Sequence, residues 1–246
     1  MNLSFSKLKA YMICPRAYKY HYIDSFWGES SFAMQKGTAI ERAVGAILLG
    51  FDWQRDIEIT NEIIHPQNPE GRNGNLDLIE IDDIKIIFSI AETYLANCDL
   101  LKFQDEIEYQ KKVTGEFGKY DSMTGYIDFF IPSTKTVIDL KTTKKIPTFA
   151  KSLDRLQVFW YGLFLPFPFE EIQFELHYVR SYIPKTKISQ MQLYPIFPTI
   201  QEKELITSLF KNFLYSVNSN VFPRNMFSFN CSPERCPYWD ICMEGK

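Results

Sequence analysis

"GYIDFFIPSTKTVIDLKTT", residues 125–143, decides how this chain is read. Two runs rich in β-branched and aromatic residues flank "PSTK", a four-residue turn signal opened by proline. The pattern predicts a β-hairpin. A turn centred between Ser133 and Thr134 sets Asp128 directly opposite Asp139, with Cβ atoms about 5 Å apart on one face. Lys141 lies two residues on and shares that face. Two like charges so placed repel unless a cation sits between them. Converging carboxylates suit Mg²⁺ or Mn²⁺, which prefer oxygen ligands. The competing reading is a surface Asp–Lys pair on a half-exposed strand.

Outward from the hairpin, residues 4–13 read as a helix capped by Ser4 or Ser6, and Pro15 opens a second short helix over 15–23. "TAIERAVGAILL" (38–49) is amphipathic, 65–76 reads as an exposed loop, and a helix is expected from about 82 to 97. Strand patterns begin near 106 and continue through the hairpin. A helix over 153–165, a strand over 171–180, a shorter strand near 187–194 and a helix over 199–217 follow. This order predicts an α/β (α+β) fold with a central mixed β-sheet flanked by helices. We expect one domain over 1–246: an N-terminal helical segment 1–100, a core 101–195, and a C-terminal helix and tail 196–246.

The 246 residues are 46% hydrophobic and 16% aromatic, enough for a substantial core. A net charge of −3 argues against broad attraction to nucleic acid, though not against a local basic groove. No apolar run approaches membrane-spanning length and the N-terminus lacks a signal-peptide pattern, so a cytoplasmic location with no membrane partner is expected. Five cysteines without a secretion signal make a disulfide framework a poor reading.

Gly-x-x-Asp, a short turn, then Asp-x-Lys on the next strand resembles the PD-(D/E)XK nuclease superfamily, whose fold is restriction-endonuclease-like. The following helix carries Gln157 and Tyr161, four apart on one face, similar to the Gln-x-x-x-Tyr motif of RecB-type nucleases. Alone, that pair would be an ordinary half-buried helix face. Upstream, the family has Gly-x-x-x-His on a helix; this chain has Gly37 and then Glu41 in the histidine's place. Glutamate can ligate Mg²⁺. Thr38 and Glu41 also have the spacing of a capping box, in which the glutamate only closes a helix N-terminus.

The tail "CSPERCPYWDIC" places Cys231, Cys236 and Cys242 after the core, and Cys14 precedes it. One cysteine before and three after resembles the RecB-like iron–sulfur branch, which includes the AddB C-terminal domain and nucleases associated with CRISPR adaptation. There, four thiolates hold a 4Fe–4S cluster that staples the chain ends together. The gap between Cys231 and Cys236 is wider than the family's. Zinc bound by the same thiols, and unligated thiols, are the alternatives. Cys98 has no motif partner and reads as a free thiol.

The resemblance implies a metal-dependent phosphodiesterase. Asp128 and Asp139 would hold Mg²⁺ or Mn²⁺, with Glu41 and the Leu140 carbonyl completing the shell. Lys141 would act at the attacking water and the phosphate, positioned by Gln157 and Tyr161. Lys7, Lys9, Arg16 and Lys19, and Lys144, Lys145, Lys151 and Arg155 nearer the site, could grip DNA phosphates. The expected activity is a DNA exonuclease acting on ends or single strands, in recombination, repair, CRISPR adaptation or phage DNA metabolism, with proteins of those processes as partners. Two other classes remain: a non-cleaving DNA-end or partner-binding module of the same fold, and a zinc-stapled structural protein.

Overall fold

The hairpin at 125–143 forms the centre of a five-stranded sheet ordered β1-β2-β3-β4-β5. The strands are β1 (Glu108–Glu116), β2 (Ser122–Ile131), β3 (Thr136–Thr143), β4 (Gln173–Arg180) and β5 (Met191–Ile196). The helices are α1 (Phe5–Ile13), α2 (Pro15–Tyr22), α3 (Phe32–Leu48), α4 (Ile81–Ala96), α5 (Ser152–Gly162), α6 (Ile200–Asn218) and α7 (Trp239–Glu244). This computed structural model describes residues 3–26, 32–55, 60, 79–116, 122–185 and 189–244. The loop expected at 65–76 lies outside them.

The hairpin register is the one the turn dictates. Phe129 pairs with Ile138, Phe130 with Val137 and Ile131 with Thr136. The Lys135 N–H donates to the Pro132 carbonyl at 3.2 Å, with Lys135 at φ 54°, which lets four residues reverse the chain. β3 and β4 are parallel and joined through α5, as parallel neighbours require a crossover. β5 pairs antiparallel with β4, so the sheet is mixed. The sequence placed this last strand near 187–194, and it falls at Met191–Ile196. It lies on the sheet's edge, where Pro195 is tolerated because the missing N–H is not needed by a further strand.

The chain divides into two compact units. One comprises residues 30–111 and 126–197. Its core packs α3 and α4 on one sheet face: Ala39, Ala43 and Val44 with Ile87 and Phe88, over Phe129, Ile138 and Leu140. On the opposite face α5 packs against β3 and β4, with the Phe159 ring edge-on to Phe174 at 5.3 Å. Gly162 ends that helix where a Cβ would stand 2.6 Å from the Phe174 ring. The buried His177 ring is satisfied by Tyr94 at 2.5 Å and by Glu175 at 2.7 Å.

The other unit comprises residues 1–29, 112–125 and 198–246. Its core is aromatic: Tyr18 meets Phe213 edge-on at 5.1 Å and stacks on Phe222 at 6.0 Å. Tyr11 hydroxyl bonds Ser216 hydroxyl at 2.6 Å, tying α1 to α6. Ser4 caps α1, and Thr199 with Glu202 forms a capping box on α6.

Candidate active site

The recorded hairpin pairs run from Ile131–Thr136 to Phe129–Ile138, and Asp128 on β2 and Asp139 on β3 lie one residue beyond the last of them. The pairing does not simply continue there. Asp128 Oδ2 accepts the Leu140 backbone N–H at 2.8 Å, so a side chain takes a donor of β3 and is fixed against that strand. Asp139 is fully buried. The Lys141 ammonium lies 2.6 Å from Asp139 Oδ2 and donates to Gln157 Oε1 at 3.1 Å. Gln157 in turn donates to the Tyr161 hydroxyl at 2.7 Å. Strand period and helix period thus converge: residues two apart on β3 and four apart on α5 meet across the sheet–helix interface.

Glu41 comes from the opposite layer. The helix predicted to start at Thr38 starts at Phe32 instead. Gly37, a poor helix former, interrupts the sequence pattern but not the helix. The capping-box reading therefore falls: Thr38 Oγ1 donates back to the Met34 carbonyl at 3.3 Å, and Glu41 sits in mid-helix. Gly37 has a different purpose. A Cβ there would stand 2.6 Å from Thr142 Oγ1, so the missing side chain lets α3 lie close against the end of β3.

Sequence reasoning missed Gln110. Its amide donates to Glu41 Oε1 at 2.6 Å and lies 3.5 Å from Asp128 Oδ1. Gln110 has φ 51° inside β1, a left-handed conformation that non-glycine residues rarely adopt in a strand. The local kink turns its side chain towards the acids. Alternation along β1 carries no sign of such a kink, so no sequence signal marks it.

The electrostatics follow from burial. Asp128 is held well above the usual carboxylate range by desolvation, then by the charges of Asp139 and Glu41. Glu41 is raised by burial, with Asp139 adding to the rise and Gln110, Tyr109 and Arg42 opposing it. Burial works against a charge on Lys141, but Asp139 and Asp128 outweigh it and hold the ammonium above its ordinary value. Tyr161 is pushed up by burial and by the same two aspartates.

Among the described residues, no three His, Cys, Asp or Glu side chains are already gathered as a formed metal cage. Glu41 is turned to Gln110, and Asp139 to Lys141. The donor set nevertheless suits a hard divalent cation: carboxylates with little water, of which Glu41 and Asp128 are raised in pKa by burial and by neighbouring acid charge.

In the unit that contains the tail, Cys14 lies at the junction of α1 and α2. Asn225 donates to the Ile13 carbonyl at 2.9 Å, the Arg16 N–H donates to Pro223, and Arg224 donates to the Cys242 carbonyl. These bonds hold the two chain ends side by side. The Cys236 thiol is pushed up by burial and then by Cys14, Cys242 and Cys231, so each of those three sulfurs lies within electrostatic reach of Cys236. α7, which carries Cys242, was not foreseen. Cys98 stands apart in the other unit, its thiol raised by burial.

The family model of the PD-(D/E)XK nuclease superfamily matches residues 2–243. A crystal structure of a candidate exonuclease from Eubacterium rectale superposes with a TM-score of 0.56 at 16% identity, over 100% of this chain and 88% of that one. At that identity the likeness speaks for the fold alone. The crystal structure of SSO0001 gives a TM-score of 0.48 at 16% identity, over 98% of this chain and 85% of its own. No curated protein matches the sequence. No helix among the described residues is long and apolar enough to cross a membrane.

Proposed function

We propose that this chain, which belongs to the PD-(D/E)XK nuclease superfamily, is a divalent-metal-dependent DNA nuclease working as an exonuclease on DNA ends or single strands. The observation that carries the reading is that Asp128 accepts the Leu140 N–H at 2.8 Å, beside the buried Asp139, with Lys141 at 2.6 Å from Asp139. Asp128, Asp139 and Glu41, with the Leu140 carbonyl, would hold Mg²⁺ or Mn²⁺. The ion supplies Lewis acidity and a water of lowered pKa.

The chain's own residues account for the rest. Lys141, a charged ammonium with donors only, steadies the negative charge of the phosphodiester. Gln157 accepts from Lys141 and donates to Tyr161, which fixes the ammonium's direction. Gln110 holds Glu41 beside Asp128 while keeping the two carboxylates from swinging apart. In the other unit, Cys14, Cys231, Cys236 and Cys242 would ligate a 4Fe–4S cluster, with zinc as the alternative occupant; the support is their spacing and the mutual influence on Cys236.

The test is cleavage of labelled single-stranded, linear duplex and circular DNA, with and without Mg²⁺ or Mn²⁺. Loss of linear and single-stranded DNA that stops on chelation, with circular duplex spared, is the expected result. Intact DNA in every divalent metal would refute it.

A further inference from the structure

The loops that leave the C-terminal ends of β3 and β4 carry charge and aromatic surface that the site described above does not use. Residues 142–153 include Lys144, Lys145 and Lys151 and no acid; the described residues 180–185 include Arg180 and Lys185 and no acid. This bias stands out in a chain whose net charge is −3. Phe149 is 74% exposed on the first loop, and Tyr182 is 40% exposed on the second. In parallel sheets, ligands bind beyond the carboxyl ends of the strands. Lys144 follows Lys141 by three residues, or roughly 10 Å of strand.

An exposed phenylalanine on a slack loop would signify little. This loop is pinned. Arg180 donates to the Lys144 carbonyl at 2.9 Å, and Thr143 Oγ1 donates to the Lys145 carbonyl at 2.8 Å. The Tyr194 hydroxyl donates to the Pro147 carbonyl, and the Lys151 N–H donates to the Tyr178 hydroxyl at 3.2 Å. Tyr178 is itself anchored on the buried Asp154 at 2.7 Å. The same Arg180 lies over the Tyr182 ring at 5.8 Å and donates to its hydroxyl, so one guanidinium joins both loops. Backbone held at both ends of the first loop presents Phe149 outward, at the cost of about 100 Å² or more of unburied aromatic surface.

We propose that the loops 144–151 and 180–185 form a track for single-stranded DNA leading to Asp139 and Lys141, with Phe149 and Tyr182 as stacking platforms for bases and Lys144, Lys145 and Lys151 as phosphate contacts. Single-stranded DNA is the occupant because the pattern combines the two things it offers, unstacked base faces and a line of negative charge. A duplex hides its base faces and would use the lysines alone. The inference rests on the nuclease reading for the direction of the track, but its test does not depend on cleavage.

The experiment is fluorescence-anisotropy binding of a labelled oligothymidylate, a blunt duplex and an oligouridylate to the full chain in chelator, at several salt concentrations. Base–aromatic stacking gives about 1–3 kcal/mol per base, so Phe149→Ala should weaken single-strand binding about 5- to 160-fold, with little effect on the duplex and an unchanged salt slope. Phe149→Trp should restore binding, which separates stacking from misfolding. The double variant Lys144→Ala/Lys145→Ala should flatten the single-strand salt slope by about 1.4. Unchanged single-strand affinity in Phe149→Ala, or tighter binding of the oligouridylate than of the oligothymidylate, would overturn the proposal. Wild-type protein that binds in this pattern but never cleaves with metal would refute the nuclease reading and leave the track standing. Cleavage with no Phe149 effect would do the reverse.

Discussion

The acidic pocket and the cysteine tail are both clusters of groups that could bind a metal, and they are built in opposite ways. The pocket is set by regular structure. Its acids and lysine take their places from a strand register, and its glutamine and tyrosine from a helix face. Burial then makes each acid a costly neighbour for the others. The tail is set by irregular structure. Its thiols are half-exposed, and what draws Cys14 to Cys242 is a handful of side-chain bonds to backbone carbonyls. The lesson is that the pocket should keep its geometry when a ligand is lost, because strands hold it, whereas the tail, held by a few side-chain bonds and by Tyr238 against His21 and Tyr20, should loosen more when a ligand is lost.

The sharpest way to break this contrast is Lys141→Ala. Removing the ammonium should lower turnover by about 10²- to 10⁴-fold while DNA affinity changes little, because its partners lie at the reacting centre. A loss of affinity with unchanged turnover per bound complex would reduce Lys141 to a backbone contact.

On the tail side, Cys236→Ser should abolish the broad visible absorption of anaerobically purified protein and lower its melting temperature, since energy of ligation is partly energy of folding. Cys98→Ser should do neither. Colourless protein with stoichiometric zinc would transfer the site to zinc. Protein with neither metal and four freely titrating thiols would remove the staple.

Gln110 tests whether the pocket extends beyond its charged residues. Gln110→Ala frees Glu41 and should raise the Mg²⁺ concentration needed for half-maximal activity by about 10- to 100-fold, the usual cost of losing a partner that orients a ligand. Glu41→Gln should give a similar rise with little change in melting, because Glu41 caps nothing. Normal metal dependence in both variants would take Glu41 out of the metal's coordination shell.

The pocket was legible to the extent that it follows from periodicity. A turn centre gave the register, a period of two put Lys141 with Asp139, and a spacing of four put Gln157 with Tyr161. What stayed hidden depends on departures from periodicity. Gln110 reaches the acids only because its backbone turns left-handed within a strand. Glu41 looked like half of a capping box because Gly37 obscured the stretch of helix that starts at Phe32. In the tail, the spacing of Cys231, Cys236 and Cys242 was visible, but the bonds from Asn225 and Arg224 that gather the ends depend on tertiary placement.

A smaller effect concerns pH in the presence of chelator. Asp128 has a folded-state pKa above its unfolded value, because of burial and then the charge of Asp139. Between those two values the folded state binds the extra proton, so the contribution of Asp128 to stability is fully present below about pH 4, the ordinary aspartate value, and is lost as pH rises through the folded pKa. Asp128→Asn should flatten that decline in melting temperature. The same slope in both proteins would mean that Asp128 does not titrate as its surroundings require.

The central claim is that Asp128 and Asp139 form one metal-dependent phosphodiesterase site held by the hairpin. Its most direct test is to measure, for Asp128→Ala and Asp139→Ala, both Mg²⁺-dependent cleavage of single-stranded DNA and thermal melting. Both variants should lose about 100-fold or more in cleavage and still melt cooperatively, with Asp139→Ala melting lower because it leaves the Lys141 ammonium without its 2.6 Å partner. Wild-type cleavage by either variant at limiting Mg²⁺ would contradict the account.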